Sequence, residues 1–182
     1  LQFGLPRPPS LAHRLDRDTS GCLVLGRHRQ ALAKLGKLFE QGKIKKTYWA
    51  IVHGTPGAES GVIDLPLAKK TAQKNLWQMK VDEAAGQPAM TEYKVLGRAE
   101  GMSWIEFSPL TGRTHQLRVH ASAIGCPIVG DRIYGSGAQE GLLQLHARAI
   151  KIPLYPKKDP IAVSAPPPAH MLEALAACGY AA

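Results

Sequence analysis

The residues of this chain best suited to chemistry lie in one run, His13-Arg14-Leu15-Asp16-Arg17-Asp18-Thr19-Ser20-Gly21. Asp16 stands between two arginines, just ahead of a Thr-Ser-Gly turn. A carboxylate beside fixed cations stays ionised, and in that state it acts as a nucleophile or a base. A second run, Gly112-Arg113-Thr114-His115-Gln116-Leu117-Arg118-Val119-His120, opens a predicted helix with a glycine-arginine turn. Such a turn sets backbone N–H groups beside guanidinium groups and suits an anion; the same residues also make an ordinary basic helix face. A third run, Lys45-Lys46-Thr47-Tyr48-Trp49-Ala50, puts Tyr48 on a predicted strand, where a tyrosine is either a packing residue or a wall of the site.

Apolar periodicity supplies the elements that must hold these residues. Gly21–Gly26 is a short apolar run between glycines and reads as a buried strand that pins the Asp16 loop to the core. Ala31, Leu32, Leu35, Leu38 and Phe39 recur at three and four residues, one face of a helix that ends near Gln41-Gly42. Thr47–His53 reads as a strand, and alternation puts Tyr48, Ala50 and Val52 on one face and Trp49 and Ile51 on the other. Glu59–Leu67 and Asn75–Val81 are candidate strands on either side of a basic loop, Lys69–Lys74. Thr91–Leu96 and Met102–Phe107 form a predicted hairpin around Gly97–Gly101, and Thr114–Ile124 a helix. Leu145–Leu154 and Ile161–Val163 read as late strands, and Ala169–Ala177 as a closing helix after three prolines. Many strands, few helices and short links point to an α+β fold with a mixed, mostly antiparallel sheet.

The composition bounds the partners. Lys and Arg number 23 against 14 Asp and Glu, a net charge of +9, which favours a polyanion because neutralised phosphates release counterions. Apolar residues make up 45% of the chain, which excludes a disordered protein, and no stretch reaches the ~20 apolar residues that span a bilayer. Cys22, Cys126 and Cys178 are odd in number and far apart, so no disulfide framework is expected and a reducing cytoplasm is the expected setting.

Taken in order, the runs resemble the RluA-type RNA pseudouridine synthases: H-R-L-D-x-x-T-S-G at His13, K-x-Y-x-A at Lys46, G-R-T-H-Q-L-R-x-H at Gly112, G-x-P-I-x-G-D-x-x-Y-G at Gly125, and L-H-A at Leu145. The resemblance covers about residues 10 to 178. It implies the pseudouridine synthase catalytic fold and an isomerase that needs no cofactor and no metal. It implies that Asp16 is the catalytic carboxylate and that Tyr48 lies against the target uracil. It further implies that Arg118 pairs with Asp16, Leu117 lies beneath the base, and Arg14 fills the RNA stack when the uridine leaves it. Arg113 and His115, in the same motif as Leu117, are expected to bind substrate, while His13, Thr19, Ser20 and Gly21 shape the loop.

Further expectations follow. The partner is RNA, ribosomal or transfer, with no membrane and no obligate protein partner, and the chain is expected to act as a monomer. Residues 1–182 are expected to form a single catalytic domain that lacks the family's preceding strand segment and its separate N-terminal RNA-binding domain. Arg7, Arg14, Arg17, Lys45, Lys46, Lys69, Lys70, Lys74 and Arg113 are expected around one cleft mouth. Asp16-x-Asp18 also fits an aspartyl phosphatase, but no uninterrupted apolar strand precedes it. A zinc site on His115 and His120 fails on geometry, because five residues turn a helix by about 140° from the first ligand. A non-catalytic RNA-binding protein is the alternative from another class.

Overall fold

A seven-stranded sheet forms the frame of the molecule, a computed structural model that describes residues 4, 7–70, 78–135 and 141–181. Along the chain run β1 (Ser10–Leu11), β2 (Ser20–Gly21), β3 (Leu25–Gly26), α1 (Arg29–Glu40), β4 (Lys45–His53), β5 (Ser60–Asp64), β6 (Leu67–Lys69) and β7 (Met79–Val81). They are followed by β8 (Met90–Ala99), β9 (Met102–Pro109), α2 (Gln116–Ala123), β10 (Leu145–Ile152), β11 (Ile161–Ser164) and α3 (Ala169–Ala177). The large sheet has the order β11-β10-β4-β9-β8-β5, antiparallel throughout, and β2 joins β10 in parallel through Ser20↔His146 and Gly21↔Ala147. The small pairs β1–β3 and β6–β7 flank it. The α+β fold with a mixed, mostly antiparallel sheet is the one the sequence predicts.

Burial on both faces explains the β4 sequence. Ala50 and Val52 enter one core with Ile105, Phe107, Leu117, Ile128 and Leu145, against which Tyr48 packs. Ile51 enters the other with Trp104, Met171 and Leu175 of α3, flanked by Trp49. Full burial of each large side chain contributes about 1.5–3 kcal/mol, so this strand is fixed in register from both sides. The alternation predicted around Tyr48 is therefore the one observed. Helix α1 buries Leu35 against Ile44, Ile150 and Ile152 and starts where His28 Nδ1 accepts the Ala31 N–H. The closing helix has the predicted limits, Ala169–Ala177.

Four predicted elements differ. Gly21–Gly26 is not one buried strand, and Leu23 is 46% exposed. Cys22 N–H still reaches Ala147 O, but Ala12 N–H then bonds Val24 O, drawing the chain away from β10 toward residues 10–12. Glu59–Leu67 splits at Leu65-Pro66, because proline brings no N–H to a ladder. Of Asn75–Val81 the described part begins at Gln78, which precedes the strand Met79–Val81; residues 75–77, like Lys74, lie outside the described residues. Helix α2 starts at Gln116 and not at Thr114, because His115 sits at φ 53°, in the left-handed region.

Candidate active site

The Asp16 loop is shaped by its own motif and by a second one far along the chain. Thr19 N–H closes a turn on Asp16 O at 3.0 Å. Ser20 Oγ lies 2.8 Å from His146 Nδ1, and His146 Nε2 lies 3.1 Å from Ala165 O. A carbonyl only accepts, so Nε2 carries the proton and Nδ1 accepts from the serine. Gly21 sits at φ 107°, where a Cβ would come within 2.3 Å of Ala147 O. T-S-G and L-H-A thus fit one another: Ser20 against His146, Gly21 against Ala147, and Leu145 in the cleft wall. Ahead of Asp16, His13 Nε2 accepts Val24 N–H at 3.0 Å and its ring stacks on Phe39 with centroids 4.8 Å apart. These four residues hold the loop, as expected of them.

Asp16, Arg14 and Thr19 from this loop line a cleft of about 550 Å³ together with Lys46 and Tyr48 of β4, Leu117 of α2, and Arg113. That volume falls within the range of small-molecule sites and admits one flipped nucleoside. Thr19 Oγ1 is buried there with no hydrogen-bond partner among the described residues. Burial, reinforced by the charge of Asp16, pushes the Tyr48 phenol up to about 12. At neutral pH only about one molecule in 10⁵ then carries a tyrosinate, so the phenol is a neutral donor and an apolar wall.

Arg118 departs from expectation. No ion pair within 4 Å links it to Asp16; its guanidinium is gripped by Asp131 instead, Nε to Oδ2 and Nη2 to Oδ1, each at 2.7 Å. The reason is local. Asp131 is 1% exposed, and its Oδ1 also accepts the N–H groups of Ile133 and Tyr134, so the carboxylate is built into a turn beside α2. The Tyr134 ring lies 5.2 Å from the guanidinium carbon. Burial alone would lower the Arg118 pKa, but the Asp131 carboxylate outweighs it and holds the cation up, with a smaller contribution from Asp16. Asp16 therefore feels Arg118 through space, while Asp131 holds it by contact.

His115 is not among the cleft-lining residues. Tyr134 Oη accepts Met79 N–H at 2.8 Å and lies 2.8 Å from His115 Nδ1. Burial lowers the His115 pKa, and Arg118 acts in the same direction against Asp16. The anion-binding turn is also revised. Arg113 N–H is spent on Gln116 Oε1 at 2.9 Å, and Arg113 Nε on Pro88 O at 3.0 Å. Gln116 Oε1 further accepts from Thr111 Oγ1, and its Nε2 donates to Met90 O and Thr91 Oγ1. A 4%-exposed amide with all four valences used locks the turn in place. His120 is likewise occupied, Nδ1 by Thr91 Oγ1 and Nε2 by Leu65 O. Of the nine basic residues expected at the cleft, Lys74 lies outside the described residues, and among the other eight Arg14, Lys46 and Arg113 line it.

Asp131 and Gln116 are structural partners that reasoning from the sequence left without roles. The signal was the pairing of an acidic residue in G-D with an arginine in Q-L-R, which spacing alone does not reveal.

The chain matches the family model described as RNA pseudouridylate synthase over residues 2–123. It is 47% identical over 171 residues to an uncharacterized RNA pseudouridine synthase of Zymomonas mobilis, covering 92% of this chain and 77% of that protein. It is 40% identical over 156 residues to the dual-specificity RNA pseudouridine synthase RluA of Salmonella typhimurium, covering 84% and 70%. Among solved structures it resembles human RNA pseudouridylate synthase domain containing 4, with a TM-score of 0.81 and 28% identity over 94% of this chain and 76% of the other. The curated relatives differ in length, and the chain spans from 77% down to 33% of them.

Proposed function

The chain belongs to the RNA pseudouridylate synthases, isomerases that convert uridine in RNA, and we propose that it acts through Asp16 on a uridine flipped into the 550 Å³ cleft. The observation that carries this reading is the meeting of Asp16, Tyr48, Leu117 and Arg14 in the walls of one cleft, from segments far apart in the chain. A base inside a stacked helix is out of reach, so the target nucleotide leaves the stack and Arg14, whose plane can stack, fills the gap.

The reaction breaks the bond from the sugar to ring nitrogen and forms one from the same sugar carbon to a ring carbon. One proton leaves that carbon and one ends on the freed nitrogen, so nothing is oxidised or reduced. Asp16 serves this exchange as nucleophile or as a fixed negative charge against the sugar as positive charge develops. Tyr48 and Leu117 enclose the detached uracil while it turns. Because the Tyr48 phenol is held protonated, it donates a hydrogen bond or packs, and another acceptor takes the carbon-bound proton. The Arg118–Asp131 pair holds α2, the helix that carries Leu117 into the cleft wall.

The proposed substrate is a structured ribosomal or transfer RNA, bound by a monomeric catalytic domain in the cytoplasm. Mapping pseudouridine in cellular RNA with and without the protein tests the reading. Loss of one or more defined sites, restored by wild type and not by Asp16→Asn, is expected. An unchanged map, or restoration by Asp16→Asn, overturns it.

A further inference from the structure

Among the described residues, Lys46 is a cation without a counter-ion. Its side chain is largely withdrawn from solvent in the cleft wall, and among the described residues no carboxylate lies within 4 Å of its Nζ. Burial pushes its ammonium pKa down. Burying a lone ammonium is costly, and folds ordinarily avoid it by pairing.

The geometry explains how the cost is partly met. Pairing of β4 with β9 begins at Tyr48↔Phe107, so Lys46 lies beyond the end of that ladder, with β10 as its neighbour at Lys46↔Ile150. After β9 ends at Pro109 the chain crosses the cleft, and Lys46 Nζ donates to Thr111 O at 3.3 Å. At Gly112 a Cβ would sit 3.8 Å from Nζ, so the ammonium stands close to the backbone of that loop. Among the described residues one of its three donors is used, which leaves two. Lys46 and Tyr48 are two apart on one strand and so project from the same face.

We propose that Lys46 is the phosphate-binding residue of the target nucleotide: its two spare donors hold a phosphodiester next to the flipped uridine and thereby set the depth at which the base meets Asp16 and Tyr48. The proposal rests on the isomerase reading above. It differs from the general attraction of a basic surface, because Lys46 reaches one phosphate from inside the cleft whereas exposed lysines such as Lys69 and Lys70 meet the RNA through solvent. It also differs from a purely structural role, in which the Thr111 bond alone tethers the 109–113 loop.

The test is a double cycle on an RNA stem-loop carrying a uridine that wild-type protein demonstrably converts. Neutral methylphosphonate linkages replace the phosphates on either side of that uridine one at a time, and Lys46→Met and Lys46→Arg are compared with wild type in single turnover. At one linkage the methylphosphonate should slow wild type and Lys46→Arg by about tenfold, yet slow Lys46→Met less than about twofold. Lys46→Met should also flatten the slope of log affinity against log salt by about 0.7–0.9, one phosphate's worth. Equal losses for wild type and Lys46→Met at both linkages would overturn the proposal while leaving the isomerase reading intact, since the wild-type protein has turned over. Thermal midpoints for Lys46→Met and Lys46→Arg close to wild type keep the comparison on folded protein.

Discussion

Asp131→Asn is the perturbation whose consequences can be worked furthest from the structure. The change keeps an oxygen for the Ile133 and Tyr134 N–H groups but removes the charge that faces Arg118 at 2.7 Å. The guanidinium is 6% exposed on its side chain, so it is left as an uncompensated buried cation, at a cost of about 3–5 kcal/mol. With a urea m-value of ~2 kcal/mol/M, the unfolding midpoint should fall by about 1.5–2.5 M. Arg118→Met should cost a similar amount, because it strands the carboxylate. The double variant carries neither charge and keeps the turn, so its loss should fall at least ~3 kcal/mol short of the sum. Burial by itself would raise the Asp131 carboxyl, but Arg118 and the two N–H groups outweigh it and hold it below the usual 3.8. A depressed folded pKa contributes stability that is present above the unfolded value and lost as pH falls through the folded one. The gap between wild type and Asp131→Asn should therefore narrow below about pH 3.8. Additive losses in urea melts at pH 7, or a single-variant shift under about 0.3 M, would refute the reasoning.

Two other perturbations follow. Tyr48→Phe should bind RNA within about twofold of wild type but turn over about 10²-fold more slowly, read in single-turnover assays, if the protonated hydroxyl donates during the reaction; an unchanged rate would leave the ring a stacking role alone. His120 and His146 are each buried in the core, and burial lowers both below 6.5. Unfolding then takes up protons between the folded values and 6.5, so stability should fall as pH drops through that window, and His120→Gln with His146→Gln should flatten the dependence seen in urea midpoints at pH 7.5 and 5.5.

Regular burial was legible in the sequence; contacts between distant side chains were legible only as motifs. The β4 alternation and the limits of α3 follow from apolar periodicity, because a single face or stripe decides each. The break within Gly21–Gly26 was hidden, since the competing partner, residues 10–12, offers backbone groups and no pattern. The late start of α2 was hidden because a left-handed histidine has no compositional signature. At the site, the convergence of Asp16, Tyr48, Leu117 and Arg14 followed motif order, but the partner of Arg118 did not. Two carboxylates, Asp16 and Asp131, were available, and the choice depended on which was buried in a turn beside α2. The same limit concealed the fit of T-S-G to L-H-A, which is a matter of a missing Cβ at Gly21.

The central claim is that Asp16 carries the isomerisation of uridine in this cleft. Forming the carbon–carbon bond expels the hydrogen from the ring carbon that was free in uridine, so RNA tritiated at that position releases label to water once per conversion. Purified wild-type protein should release label in step with pseudouridine formed, while Asp16→Asn should bind the same RNA with comparable affinity and release none above background. Release by Asp16→Asn at the wild-type rate would contradict the account.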